Sequence, residues 1–164
     1  VGNIHFYDPY VTSGYEKVLG AKRHSSLENL LETSDIVSMH IPLNKETNGF
    51  INDNFVEKMK HGAILVNTAR GGLLESHDCI FKGLESGKLY GVGLDVLPQE
   101  PPIFDPKDKF IMAWLDRIKG FEGRILINPH SAYYSQESYV EMRSNAAKMA
   151  LNALNDNQFL NRIT

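Results

Sequence analysis

The feature that most constrains this chain is a regular exchange between two hydrophobic periods. Short apolar, β-branched runs alternate with amphipathic stretches of helical length. Residues 3–7 are aromatic and β-rich and stop at Asp8-Pro9, where proline ends a strand. Residues 15–19 read as a short helix closed by Gly20. Ser25 and Glu28 have the spacing of a capping box that opens a helix through Leu31. A strand over 35–40 precedes a helix over 51–60, with Asn52 or Asp53 near its start. Residues 62–67 are almost continuously apolar, the mark of a strand buried on both faces of a parallel sheet. A helix over 75–86 stops at Gly87, strands follow at 91–96 and 125–128, and Ser135 caps a long helix to Asn155. The alternation predicts an α/β fold, a doubly wound parallel sheet with helices on both faces. The rhythm fails only from Pro98 to Gly123, which holds Pro98, Pro101, Pro102 and Pro106 and an amphipathic piece at 110–118. Excursions of this length are usually functional or mobile.

Composition removes several function classes. The 164 residues suit one domain, and 42% hydrophobic with 23% charged residues is a globular balance. No apolar run is long enough to cross a bilayer. The net charge is -3 and the longest basic run is Lys22-Arg23, which argues against nucleic acid or an anionic membrane as partner. Cys79 is the only cysteine, so neither an internal disulfide nor a zinc cluster can form, and no metal is expected. A reducing, cytoplasmic setting is the simple expectation. Residues 4–7 are too short for a secretory core segment. The chain opens on Val1 with a strand already under way, so a segment upstream is expected.

Ligands of open parallel sheets bind beyond the carboxyl ends of the strands. Polar residues gather there in this sequence. The strand ends carry Asp8; His40 followed by Pro42-Leu43-Asn44; Asn67-Thr68-Ala69-Arg70-Gly71-Gly72; Asp95; and Asn128-Pro129-His130. Each residue alone could be a turn or cap, but together they define a rim. Asp8 suits the hydroxyls of an adenosine ribose and would repel a 2′-phosphate, which favours NAD over NADP. A G-x-G-x-x-G turn normally lies about 20 residues before such an acid, and only seven residues precede Asp8. Arg70 can grip a carboxylate through two parallel hydrogen bonds, with Gly71-Gly72 allowing close approach. His130, stiffened by Pro129, can pass a proton near neutral pH. Glu100, set between prolines, could raise the pKa of that histidine and fix its tautomer if the two meet. The remaining histidines at 5, 24, 61 and 77 have no supporting context.

Arg, Glu and His in this order, behind an Asp-tipped strand, resemble the D-isomer-specific 2-hydroxyacid dehydrogenases. The matching pieces are Phe6-Tyr7-Asp8-Pro9-Tyr10, residues 34–43, Val66-Asn67-Thr68-Ala69-Arg70-Gly71-Gly72-Leu73, Gly93-Leu94-Asp95-Val96 with Glu100-Pro101, and Asn128-Pro129-His130. They span almost the whole chain. The resemblance implies a Rossmann-like NAD-binding domain lacking its first βα unit over residues 1–134. A C-terminal helix over 135–164 would return toward a substrate domain. It implies Arg70 on the substrate carboxylate and C2 oxygen, His130 as acid/base with Glu100 as partner, and Asp8 on the ribose. His40, Ile41, Pro42, Leu43, Asn44, Thr47, Thr68, Ala69, Asp95, Ala132 and Tyr133 would complete the cofactor side, together with Arg70 and His130. The substrate would be a small 2-hydroxy or 2-keto acid, and the full-length parent a homodimer.

The stretches around Tyr7-Asp8-Pro9-Tyr10 and 130–143 are most similar to the C-terminal-binding-protein branch, whose members are NAD(H)-binding corepressors. An alternative is therefore an NAD(H)-sensing scaffold, nuclear rather than cytoplasmic. A third reading is an inactive remnant. Tyr133 stands where that branch has tryptophan, and the stretch between Glu100 and His130 is longer than usual. Without the glycine turn, tight NAD binding and turnover by these residues alone are not expected. An exposed sheet edge and apolar helix faces should drive self-association.

Overall fold

The computed structural model describes residues 2–103 and 105–156. They form two compact units, one ending at Pro129 and the other starting at His130. The expected division fell at 134/135, and its last residues, 157–164, lie outside the described part of the chain.

The first unit runs β1 (His5–Phe6), α1 (Tyr15–Leu19), β2 (Lys22–Arg23), α2 (Leu27–Thr33), β3 (Ile36–Met39), α3 (Asp53–Lys58), β4 (Ala63–Asn67), α4 (His77–Glu85), β5 (Leu89–Leu94), α5 (Lys109–Trp114) and β6 (Ile125–Ile127). All pairings are parallel, in a two-stranded sheet β1-β2 and a four-stranded sheet β3-β4-β5-β6. Dinucleotide folds order their strands 3-2-1-4-5-6. Taking strand 1 out of that order leaves a pair and a row of three; here the pair stands beside a row of four.

Register explains the layers. Val37, Leu65, Val92 and Ile125 lie side by side across the four strands, and all are buried. On the opposite face, Ser38, Val66, Gly93 and Leu126 lie side by side, with Ile36 beside Ile64. Ile36 is 61% exposed and Leu126 65%. The buried face forms one core with Phe55 and Val56 of α3, Ile80, Phe81 and Leu84 of α4, and Phe110 and Ile111 of α5.

Local chemistry sets the helix starts. The capping residue of α2 is Ser26, whose hydroxyl accepts from Asn29 N at 3.3 Å. Ser25 was expected, with Glu28 as its reciprocal partner; Glu28 instead pairs with Lys58 of α3. Asn52 caps α3 through Phe55 N at 3.0 Å. Gly87, at φ 76°, supplies the left-handed stop after α4. A strand that the sequence did not announce, β2, is only Lys22-Arg23.

The 98–123 excursion is divided: residues 98–103 and 105–107 are exposed, while α5 and Phe121 pack into the core. Asp108 caps α5 through Ile111 N at 3.1 Å, and its other oxygen meets His77 Nδ1 at 2.6 Å. Phe110, Ile111, Ala113 and Phe121 are buried. The Phe121 ring lies 5.2 Å from Phe81 on α4.

In the second unit, α6 (Gln136–Asp156) is capped by Ser135, whose hydroxyl accepts from Ser138 N at 3.1 Å. Ahead of it stands a ladder of edge-on rings, His130–Tyr133 at 6.4 Å, Tyr133–Tyr134 at 6.3 Å and Tyr134–Tyr139 at 5.9 Å. The guanidinium of Arg143 sits 3.7 Å over Tyr139.

Candidate active site

Met39, Asn67, Leu94 and Ile127 are register partners, so β3 to β6 end at one level. The residues that follow them, His40, Thr68, Asp95 and Asn128, form one rim. Asp8 extends two residues past the end of β1 on the smaller sheet.

The loop after β4 is built around Asn67, which is fully buried. Its Oδ1 accepts from Ala69 N at 3.1 Å, and its Nδ2 donates to the Arg70 carbonyl at 3.0 Å. A buried amide that spends both ends on one loop fixes that loop's shape. The loop's path leaves Arg70 extended (φ -148°, ψ 139°) and solvent-exposed, with Nη1 donating to the Ala69 carbonyl at 2.6 Å. The function of Asn67 was not read from the sequence. Its signal was an amide ending an apolar strand, two residues before a backbone N–H it could cap.

Gly71 and Gly72 were expected to let a ligand approach. What approaches is the protein itself. A Cβ on Gly71 would lie 1.8 Å from the Leu97 carbonyl oxygen, and one on Gly72 would lie 2.8 Å from Leu43 Cδ2. The Arg70 loop is thereby wedged between the loop after β3 and the loop after β5. Leu97 N in turn donates to Glu100 Oε1 at 2.9 Å. Asp95 is buried, and its N–H donates to the Asn67 carbonyl at 3.0 Å. Arg70, Leu43, Asp95 and Glu100 thus belong to one set of interlocked loops.

The loop from Ile41 to Thr47 is self-capped. Thr47 Oγ1 donates to the Pro42 carbonyl at 2.6 Å and accepts from Asn44 N at 2.8 Å, while Asn44 Oδ1 accepts from Thr47 N at 3.0 Å. Asn44 and Thr47 therefore shape the loop, which leaves Pro42 and Leu43 exposed. His40 bonds Ser38 Oγ through Nε2 at 2.9 Å.

Asp8 caps its own turn, with Oδ1 accepting from Tyr10 N at 2.8 Å. Beside it opens a cleft of about 740 Å³ lined by Tyr7, Pro9, Arg23 and His24 among others, within the size range of small-molecule sites. His24 bonds His5 ring to ring at 3.0 Å; burial, then His5 and Lys22, hold its pKa below the ordinary histidine value.

His130, Ala132 and Tyr133 lie in the second unit. His130 has φ 53°, a left-handed conformation that non-glycine residues adopt uncommonly, His, Asn and Asp more readily than others; Asp116 shares it at φ 55°. Among the described residues, no group of three or more His, Cys, Asp or Glu could hold a metal, and no helix is long and apolar enough to cross a membrane.

The rim lies where open parallel sheets take their ligands; the phosphate-binding glycine turn is not among these 164 residues. Comparison with known proteins gives the family. The sequence profile of the D-isomer specific 2-hydroxyacid dehydrogenase NAD binding domain matches residues 2–132. A D-specific alpha-keto acid dehydrogenase of Enterococcus faecium is 36% identical, over 84% of this chain and 44% of its own length. C-terminal-binding protein 1 of Caenorhabditis elegans is 35% identical, over 93% of this chain and 20% of its own length. A D-lactate dehydrogenase of Aquifex aeolicus, solved with NAD and lactic acid, superposes with a TM-score of 0.76 at 28% identity, over 99% of this chain and 51% of that one. The chain thus spans about half or less of the length of these relatives. The chain belongs to the D-isomer-specific 2-hydroxyacid dehydrogenases, as part of their NAD-binding domain.

Proposed function

We propose that this chain serves an NAD-dependent oxidoreductase that interconverts a small D-2-hydroxy acid and its 2-keto acid. The observation that carries the reading is Arg70, displayed on the rim by a buried asparagine and braced by its neighbouring loops. A guanidinium carried on a fixed loop at a parallel-sheet rim suits a carboxylate with an adjacent oxygen, which it would hold through two parallel hydrogen bonds. Bound NAD supplies the hydride acceptor or donor. His130 takes the proton from the C2 hydroxyl in oxidation and returns it to the carbonyl oxygen in reduction. Glu100 is the carboxylate assigned to act with His130. Asp8 binds the adenosine ribose, and the loop from His40 to Thr47, with Thr68, Ala69, Asp95, Ala132 and Tyr133, lines the remaining cofactor. Support for His130 comes from its place directly after Asn128-Pro129 and from its uncommon left-handed backbone. A cytoplasmic homodimer completes the reading.

The test is NADH oxidation by the protein as it exists in the cell, against a panel of 2-keto acids. Arg70→Ala should raise KM for the keto acid and lower kcat. His130→Ala should lower kcat by about 10²- to 10⁴-fold, the usual worth of a positioned acid/base. Turnover unchanged in His130→Ala removes the assignment. The likeness to C-terminal-binding protein 1 supports a second reading, an NAD(H)-sensing corepressor in the nucleus. That reading requires an oligomeric state that responds to NADH, which light scattering would detect.

A further inference from the structure

The cleft beside Asp8 is not the acid-dominated site that the sequence suggests. The Asp8 carboxylate is turned onto Tyr10 N at 2.8 Å. Glu16, on the same cleft, places both oxygens on Gly14 N at 3.1 and 3.0 Å. On the neighbouring strand, Arg23 reaches across and donates from Nη2 to the main-chain carbonyl of Asp8 at 3.1 Å. Lys22 lines the same space. The cleft therefore holds two acids and two cations. His24, which also lines the cleft, is held toward its neutral form mainly by burial.

An unopposed carboxylate beside a ribose would repel a phosphate dianion. Here its charge leans on a backbone N–H, and a half-buried guanidinium is anchored to the very residue that would do the repelling. Guanidinium carries five N–H donors in a planar fork suited to phosphate, and Arg23 spends one of them on the Asp8 carbonyl. We infer that Arg23 makes this cleft accept a 2′-phosphorylated adenosine as well as the plain one, so that the protein takes both forms of the dinucleotide. The inference rests on the reading of the cleft as the adenosine site, and it names the residue that sets the choice.

The experiment is calorimetric titration of the protein with 5′-AMP and, separately, with adenosine 2′,5′-bisphosphate. The bisphosphate should bind at least as well as within about threefold of 5′-AMP, and the ratio of the two affinities should fall as salt screens the phosphate. Arg23→Gln should lower that ratio by about tenfold or more, the worth of one charge-assisted hydrogen bond. Arg23→Lys, which keeps the charge and loses the fork, should fall between. The inference is overturned if the bisphosphate binds more than about thirtyfold below 5′-AMP, a gap of some 2 kcal/mol. It is overturned equally if both Arg23 variants leave the ratio unchanged. If neither nucleotide binds, the adenosine-site reading itself falls.

Discussion

Two stretches leave the sheet at adjacent strand ends and are held by opposite means. The loop after β4 is fastened by hydrogen bonds and backbone contact. Asn67 staples it, Gly71 lies against the Leu97 carbonyl, and Arg70 is left in solvent. The excursion after β5 is longer and richer in proline, yet it is fastened by apolar burial. Phe110 is 1% exposed, Ile111 3% and Ala113 1%. Arg124 closes its far end by donating to the carbonyls of Leu84 and Leu89, each at 2.8 Å. A loop meant to present a charged group cannot bury its side chains, so it takes its rigidity from the main chain. A stretch without such a duty can join the core.

That difference predicts different failures. Phe110→Ala removes a ring at the centre of the α4–α5 contact and should cost about 3–5 kcal/mol, the usual range for a buried phenylalanine. Urea unfolding would measure it. A loss below about 1 kcal/mol would mean that the excursion is a loose flap after all.

Gly71→Ala tests the other mode. A methyl group 1.8 Å from a carbonyl oxygen forces the backbone to move. Overpacking of this kind costs about 1–3 kcal/mol of stability, and it also shifts Arg70. Keto-acid turnover should therefore suffer more than the melting temperature does. Gly72→Ala sharpens the point, because its added methyl clashes with the flexible end of Leu43 and lies at an ordinary 3.6 Å from Asn48 Oδ1, with no backbone atom in the way. Turnover in Gly72→Ala should stay near that of the parent. Equal damage from both substitutions would show that the loop tolerates no change, whatever Arg70 does.

The same contrast marks what the sequence could disclose. Strand and helix periods were legible because they repeat, so β3, β4, β6, α3, α4 and α6 fall within two residues of expectation, while β5 starts and ends two residues early, at 89–94 against 91–96. The rim was legible because polar residues end apolar runs. The α2 cap was misplaced by one residue, since Ser25 and Ser26 both have oxygens and only the entry path of the chain selects between them. The amphipathic piece at 110–118 was legible and holds most of α5, but its packing was not, because its partner, α4, lies more than twenty residues earlier. The wedge of Gly71 against Leu97 joins distant stretches and leaves no local pattern.

The smallest effect concerns the two-stranded sheet, where neither a large core nor a stapled loop is present. His24 is buried there and bonds His5 at 3.0 Å. That bond requires at least one ring to be unprotonated. Burial is the main reason why the folded-state pKa of His24 is depressed, with the charges of His5 and Lys22 adding to it. The unfolded chain binds the proton more readily, at the ordinary value of about 6.5. The stabilisation is therefore fully present above about pH 6.5 and is lost as the pH falls through the lower folded value. Melting temperature should drop between pH 7 and 5 in the parent chain. His24→Gln, which cannot take up the proton, should drop less over the same interval. An identical pH profile for the two would assign the acid sensitivity to carboxylates elsewhere and leave the β1–β2 pair indifferent to its histidines.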